Sequence, residues 1–311
     1  MIYLNEETTR QRITHELAYA AVKDAYLAVG ESATLFPVVN AAGDQPGSMF
    51  SLKSASTPNV VGWKTGSYWP ENSHKGMPCH NTAIFLLDPE TGGLMATIEA
   101  GEVNAYRTAA ADAVATDALA RKDASILTVF GTGHQAYYEV SAVCAIRDIE
   151  QIWVVGRNEA RAIALVEKLR NDGLVADACG FGKNVTAKQA CECSDIVVTV
   201  TTAQSPLFDA DWIQPGAHVS AMGADKVGKK EIPTQLFERA TLFCDYEKQS
   251  RVIGEFQHVN SETEITEMHK VLVQSNQGRN SDKQITIFDS SGIALQDLFV
   301  AKRLLKLSEV K

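Results

Sequence analysis

The sequence predicts an α/β protein: a Rossmann dinucleotide-binding domain on a parallel sheet, preceded by an α+β domain. Three observations predict this. The apolar run Ser125-Ile126-Leu127-Thr128-Val129 leads directly into Phe130-Gly131-Thr132-Gly133-His134-Gln135-Ala136, a strand ending in Gly-x-Gly-x-x-Ala before a helical pattern. Further apolar runs, Gln151–Val155 and Asp195–Val200, follow, each after a helix-like stretch, which is the spacing of repeated βαβ units. Between Leu35 and Ile98 the pattern is instead one of short β-like runs separated by turn residues.

In chain order, the first segment reads as one helix with Thr9 as N-cap and an apolar stripe of Ile13, Leu17, Ala20, Ala21, Val22, Ala25 and Leu27, stopped by Gly30. Strand-like runs follow at Leu35–Val39, Ser48–Leu52, Val60–Lys64, Ala83–Leu87 and Leu94–Ile98. Asp88-Pro89-Glu90-Thr91-Gly92-Gly93 joins the last two as a hairpin turn. A long alanine-rich helix runs from Val103 to Leu119 and delivers the chain to the strand at Ser125. Beyond Val200, strands are expected at Ala217–Met222, Thr241–Asp245 and Ile285–Asp289. Asp289-Ser290-Ser291-Gly292 reads as a crossover turn, after which the helix from Ala294 to Lys306 returns to the first domain. The expected boundaries are 1–120 for the α+β domain, rejoined by 294–311, and 121–293 for the Rossmann domain. The polar stretch from Ser261 to Lys283 carries no clear pattern.

Composition narrows the function classes. At 311 residues, 45% hydrophobic and 22% charged, with a net charge of −9, the chain is an ordinary globular one with no basic face for nucleic acid. No apolar run is long enough to span a bilayer, and the N-terminus Met1-Ile2-Tyr3-Leu4-Asn5-Glu6-Glu7 lacks the pattern of a secretory signal. The six cysteines form no disulfide framework, and Cys191 and Cys193 lack a second pair at zinc spacing. The expectation is a cytoplasmic protein with reduced thiols, no metal, no membrane and no nucleic acid.

The glycine turn supplies the cofactor chemistry. Gly131 permits a tight turn, Gly133 lets the backbone approach a pyrophosphate, and the helix start at His134 and Gln135 offers unpaired N–H groups. After the second strand comes Gly156-Arg157-Asn158, with no acid to hold the ribose 2′-hydroxyl of NAD. This favours NADP, although Arg157 could stack on adenine beside either cofactor. Thr201, Thr202 and Ser291, at strand ends, are further candidates to line it.

Four segments in order resemble the ornithine cyclodeaminase/μ-crystallin family: Gly62-Trp63-Lys64-Thr65-Gly66-Ser67-Tyr68-Trp69-Pro70-Glu71-Asn72, Asn104-Ala105-Tyr106-Arg107-Thr108-Ala109-Ala110-Ala111, the Gly131-to-Gln135 turn, and Gly223-Ala224-Asp225-Lys226-Val227-Gly228-Lys229-Lys230-Glu231. The resemblance covers nearly the whole chain. It implies that the first domain binds substrate and forms a homodimer, that ligand sits in the cleft between domains, that Lys64 takes part in proton transfer, and that Asp225 faces the substrate nitrogen. Read physically, a lysine among aromatic and apolar neighbours has its pKa lowered by desolvation; the bland alternative is a stem packed on Trp63 or Trp69. Arg107 at a helix start suits a bidentate clamp on an α-carboxylate, the alternative being a salt bridge to Glu99 or Glu102. Thr108 could add a hydroxyl to that anion or to cofactor phosphate. A carboxylate at Asp225 would stabilise an iminium; Gly223-Ala224-Asp225 is equally good turn chemistry.

Two departures shape the substrate expectation. Cyclising members carry an acid and an arginine before the lysine, whereas Ser48-Met49-Phe50-Ser51-Leu52-Lys53-Ser54 holds only Lys53. His80, expected on a turn near Lys64, is a further donor or carboxylate ligand, or simply a surface histidine. The segment Lys64-Thr65-Gly66-Ser67-Tyr68-Trp69-Pro70-Glu71-Asn72 resembles the branch that reduces small imino acids, with iminosuccinate to L-aspartate favoured: Arg107 would hold one carboxylate and Lys53 or His80 the other. That branch implies NADH, while Arg157 leaves NADPH open. The competing readings are a cyclodeaminase lyase and a μ-crystallin-like NADPH-dependent ligand-binding protein.

Overall fold

The computed structural model describes residues 1–180, 185–274 and 277–309. Two compact units make it up: Met1–Arg107 together with the C-terminal segment from Ile293, and Thr108–Gly292.

The first unit opens with β1 (Ile2–Leu4), α1 (Glu6–Arg12) and α2 (His15–Glu31). The single helix expected here is two. Thr9 is a buried residue inside α1, not a cap. Asn5 caps α1, its side chain accepting from Thr8 N, and Thr14 caps α2, accepting from Leu17 N. Ile13 and Thr14 are extended, because a threonine that satisfies the next helix's orphan N–H competes with helix continuation. Then come β2 (Thr34–Leu35), β3 (Val39–Ala42), β4 (Met49–Thr57), β5 (Val60–Tyr68), β6 (His80–Leu87), β7 (Leu94–Glu99) and α3 (Gly101–Leu119). The sheet order is β1-β7-β6-β5-β4-β2, with β3 also on β4. Only β1 and β7 pair parallel; the other pairs are antiparallel. The Asp88–Gly93 hairpin forms as expected, Asp88 Oδ1 accepting from Glu90 N and Thr91 N. The unit boundary falls inside α3, between Arg107 and Thr108, earlier than position 120.

The second unit continues with β8 (Ile126–Phe130), α4 (His134–Cys144), β9 (Gln151–Val155), α5 (Glu159–Asn171), β10 (Ala176–Ala178), α6 (Ala187–Cys193), β11 (Ile196–Thr199), β12 (His218–Ala221), α7 (Thr234–Phe237), β13 (Ala240–Cys244), α8 (Glu247–Ile253), β14 (Ile265–Glu267), α9 (Met268–Val273) and β15 (Ile285–Asp289). Its eight strands are all parallel, in the order β10-β9-β8-β11-β12-β15-β13-β14. β11 is buried along its whole length, as a strand covered on both faces must be, which is why it reads as an unbroken apolar run. The chain steps outward from β8 to β10 and then returns to β11 on the other side, so the topological switch point lies between β8 and β11. The patternless polar stretch contains β14 and α9; its Ser275 and Asn276 lie outside the described residues.

The final helix, α10 (Ala294–Glu309), belongs to the first unit and packs on α2, β4, β5 and β6. All six cysteines are free thiols. No helix among the described residues is long and apolar enough to cross a membrane.

Candidate active site

The first unit holds a buried cationic centre. Along β5 the inward positions are Val60, Gly62 and Lys64, so a lysine stands where strand alternation calls for a core residue. Lys64 is 5% exposed, Arg107 7% and Asp297 1%. Lys64 Nζ donates to Asn104 Oδ1 at 2.6 Å and lies 3.4 Å from Asp297 Oδ1. Arg107 donates through Nη2 to the same Asn104 Oδ1 at 2.7 Å and through Nη1 to Gln296 Oε1 at 3.3 Å, and its Nε lies 3.2 Å from Asp297 Oδ1. Asn104 and Arg107 are three residues apart on α3 and therefore share a helix face. Gln296 is in turn held by Tyr26, whose hydroxyl accepts from Nε2 at 3.1 Å.

This setting brings the Lys64 pKa down from 10.5 to about 7. Burial is the main cause, the Arg107 guanidinium adds to it, and the Asp297 carboxylate opposes it. Lys53, directly opposite Lys64 in the β4–β5 register, contributes a further lowering. Arg107 therefore pairs with Asp297, while Glu99 binds the Tyr3 hydroxyl and Glu6 N, and Glu102 pairs with Arg10. His80 is a correction: it begins β6 opposite Tyr68, ring centroids 4.7 Å apart, and is not on a turn beside Lys64. It stands four residues along β6 from Ile84, the residue opposite Lys64, about 13 Å at ~3.3 Å per residue.

The second unit presents the glycine turn at the switch point. Gly131 has φ +130°, and a Cβ there would lie 2.6 Å from Val200 O at the end of β11. Only glycine fits both constraints. Gly133 is the N-cap of α4 and makes no side-chain cap bond; a Cβ there would meet nothing within 4 Å. The start of α4 at Gly133 thus faces open space, the clearance a diphosphate requires at a helix N-terminus. A cleft of about 240 Å³ beside them is lined by Thr132, Gly133, His134, Tyr137, Arg161 and Lys168, among others. Gly156 lies against Thr132, since a Cβ there would come within 2.4 Å of Thr132 Cγ2, so the ends of β8 and β9 meet.

Several other predicted groups are engaged within the second unit. Asn158 caps α5, its Oδ1 accepting from Arg161 N, while Arg157 is exposed. Thr201 donates through N and Oγ1 to Glu231 Oε1, each at 2.6 Å, and Thr202 is exposed. Ser291 is buried, its hydroxyl accepting from Gln249 Nε2 at 2.9 Å and lying 3.4 Å from Asp245 Oδ1. Thr108 is half-buried on α3. Asp225 follows β12 on an exposed loop, its Oδ1 accepting from Lys229 Nζ at 2.7 Å.

Sequence reasoning missed Asn104, Gln296, Asp297 and Glu231. Asp297 is the only acid in the run Ile293–Ala301, whose other residues except Gln296 are apolar, a signal that a carboxylate there is paired. Glu231 was visible as the end of the Gly223–Glu231 segment. It takes Gly223 N as well as Thr201, tying the loops after β11 and β12 together.

The model of the ornithine cyclodeaminase/mu-crystallin family matches residues 18–307. The chain belongs to this family. Within the ornithine cyclodeaminase/mu-crystallin family, it is 31% identical over 319 residues to the iminosuccinate reductase of Paracoccus denitrificans (strain Pd 1222), an alignment covering 100% of this chain and 98% of that protein. The crystal structure of that reductase in complex with NAD+ superimposes with a TM-score of 0.90 at 30% identity, covering 99% of this chain and 96% of that one. An archaeal alanine dehydrogenase dimer with bound NAD gives a TM-score of 0.91 at 29% identity, covering 99% and 97%. The Thermococcus litoralis Delta(1)-pyrroline-2-carboxylate reductase, in complex with NADH and L-proline, gives 0.89 at 26% identity, covering 98% and 97%. The fold is thus the family's mixed α/β arrangement with a Rossmann-type unit.

Proposed function

We propose that the protein is an NAD(P)H-dependent oxidoreductase that reduces a small α-imino acid to the L-amino acid, with iminosuccinate the favoured substrate. The observation that carries this is the buried Lys64–Arg107 pair, bridged by Asn104 Oδ1. Arg107 makes two hydrogen bonds to the protein, leaving guanidinium N–H groups for the substrate's α-carboxylate. Lys64, with a pKa of about 7, is suited to donate a proton to the substrate nitrogen in reduction and to take one back in oxidation. The nicotinamide, when bound, supplies the hydride. The turn from Gly131 to Gln135 holds the diphosphate, and Thr108, Arg157, Asn158, Thr201, Thr202 and Ser291 form or position the rest of the cofactor site. With Arg157 and no carboxylate among Gly156–Asn158, NADH and NADPH are both admitted. Asp225 is assigned to the iminium charge.

Among the described residues whose charges act on Lys64, Arg107 and Lys53 are cations and Asp297 is an anion, a setting that suits an anionic substrate. Lys53 is assigned to the second carboxylate. β4 contains no acid, so the distal amine that a cyclodeaminase substrate carries would find no carboxylate on that strand. The reading also entails a small-molecule imino or amino acid as partner and a homodimer as the assembly.

A spectrophotometric screen tests the proposal, pairing NADH or NADPH with oxaloacetate, pyruvate or glyoxylate plus ammonia or methylamine, and with cyclic imines. Oxidation of the reduced cofactor fastest with oxaloacetate and ammonia is expected. Lys53→Ala should lower kcat/KM for the dicarboxylic imine by about 10-fold or more, the scale of one charged contact, and leave monocarboxylic imines nearly unchanged. Equal loss on both removes Lys53 from the distal carboxylate. Consumption of no reduced cofactor with any imine overturns the reductase reading.

A further inference from the structure

Asp297 sits in the first turn of α10, 1% exposed, between two cations. Its contacts divide in an unusual way. Both of its oxygens, and Arg107 Nε, have no partner in hydrogen-bonding geometry, although Oδ1 is 3.2 Å from Arg107 Nε and 3.4 Å from Lys64 Nζ. The well-directed hydrogen bonds of Lys64 and Arg107 go instead to the neutral Asn104 Oδ1 and to Gln296 Oε1. A buried carboxylate without directed bonds is costly unless its charge is itself what the site needs. Two cations beside each other without water would repel strongly, and Asp297 is the anion placed to offset them.

We propose that Asp297 is a positioning residue, a fixed counter-charge that lets an ammonium and a guanidinium stand together out of water and so keeps a proton on Lys64 for delivery to the substrate nitrogen. In that delivery an N–H bond of Lys64 breaks and one forms on the substrate nitrogen, while the hydride reaches the imine carbon from the reduced nicotinamide. The proposal rests on the reading of Lys64 and Arg107 given above. The charged groups around Lys64 are Lys53 on β4, Arg107 on α3 and Asp297 on α10; Asn104 is its neutral acceptor, and Tyr26 on α2 reaches the cluster through Gln296. Of these, Asp297 alone bears a negative charge.

The experiment measures Lys64 directly in the cofactor-free, full-length protein. Trace acylation with acetic anhydride across pH, read by mass spectrometry of the peptide containing Lys64, gives the midpoint of its deprotonation without any turnover. Asp297→Asn should lower that midpoint by about 1 to 3 pH units, the effect of one opposite charge within ~4–6 Å. The alkaline limb of kcat/KM for imine reduction should move the same way, with kcat falling and KM for the imino acid not rising. Asp297→Glu, which restores the charge, should bring the midpoint back toward wild type. A folded Asp297→Asn protein whose Lys64 midpoint is unchanged or higher overturns the proposal. Should Asp297→Asn fail to fold, Asp297→Ser carries the same expectation. If neither neutral variant folds while Asp297→Glu does not restore the midpoint, the residue is a fold determinant and the proposal falls. A wild type that reduces no imino acid would remove the functional reading, and a shifted midpoint would still uphold Asp297 as the counter-charge.

Discussion

Lys64 is the residue on which pH dependence turns. Its pKa of about 7 places both protonation states within reach near neutrality, where a general acid–base group is most effective. Reduction uses the ammonium, so kcat/KM in that direction should fall as pH rises through about 7. Oxidation uses the amine and should rise through the same window. Lys64→Met should cost roughly 10²- to 10⁴-fold in kcat and abolish both limbs. A pH–rate series in the two directions checks this; limbs unchanged in Lys64→Met would assign them to another group. The lysine's environment could not be read from its neighbours in sequence, because Arg107 and Asp297 come from α3 and α10, 43 and 233 positions onward.

The elements that position the chemistry differ in how openly the sequence displays them. The glycine turn was fully legible: β8, the turn and α4 lie where Gly-x-Gly-x-x-Ala after an apolar strand puts them, since the steric demands are local. Its two glycines should separate on mutation. Gly131→Ala, at φ +130° and 2.6 Å from Val200 O, should destabilise the fold by about 1–3 kcal/mol. A Cβ at Gly133 meets nothing within 4 Å, so Gly133→Ala should cost at most about 1 kcal/mol, yet weaken NAD(P)H binding 10-fold or more. Urea unfolding and a fluorescence titration distinguish the two; equal stability losses would refute the distinction. Less legible were α1 and α2, where one periodic stripe concealed two caps, and β14 with α9, whose short runs have too few residues for a period to emerge.

At the scale of the molecule, a ligand that binds only the folded chain stabilises it by mass action. NADH or NADPH at 100 times its Kd should add about 2.7 kcal/mol to the unfolding free energy and raise Tm accordingly. The cofactor giving the larger shift at equal concentration is the one the second unit prefers, and no shift with either would contradict dinucleotide binding.

Local residue choice alone determined the parallel-sheet unit, the hairpin at Asp88–Gly93, the uncapped glycine turn and the identity of Lys64, Arg107 and Asp225 as candidate chemical groups. The sheet, the hairpin and the glycine turn follow from sterics or periodicity within a few residues, and the three candidate groups from the segments that resemble the ornithine cyclodeaminase/mu-crystallin family. Tertiary structure decided which of them share a site. It placed Asp297 and Asn104 on Lys64 and Arg107, moved His80 to a strand end against Tyr68, and tied Thr201 and Gly223 to Glu231. Long-range packing of helix onto sheet sets those distances, and the interactions of a buried charge depend on distance rather than on order along the chain.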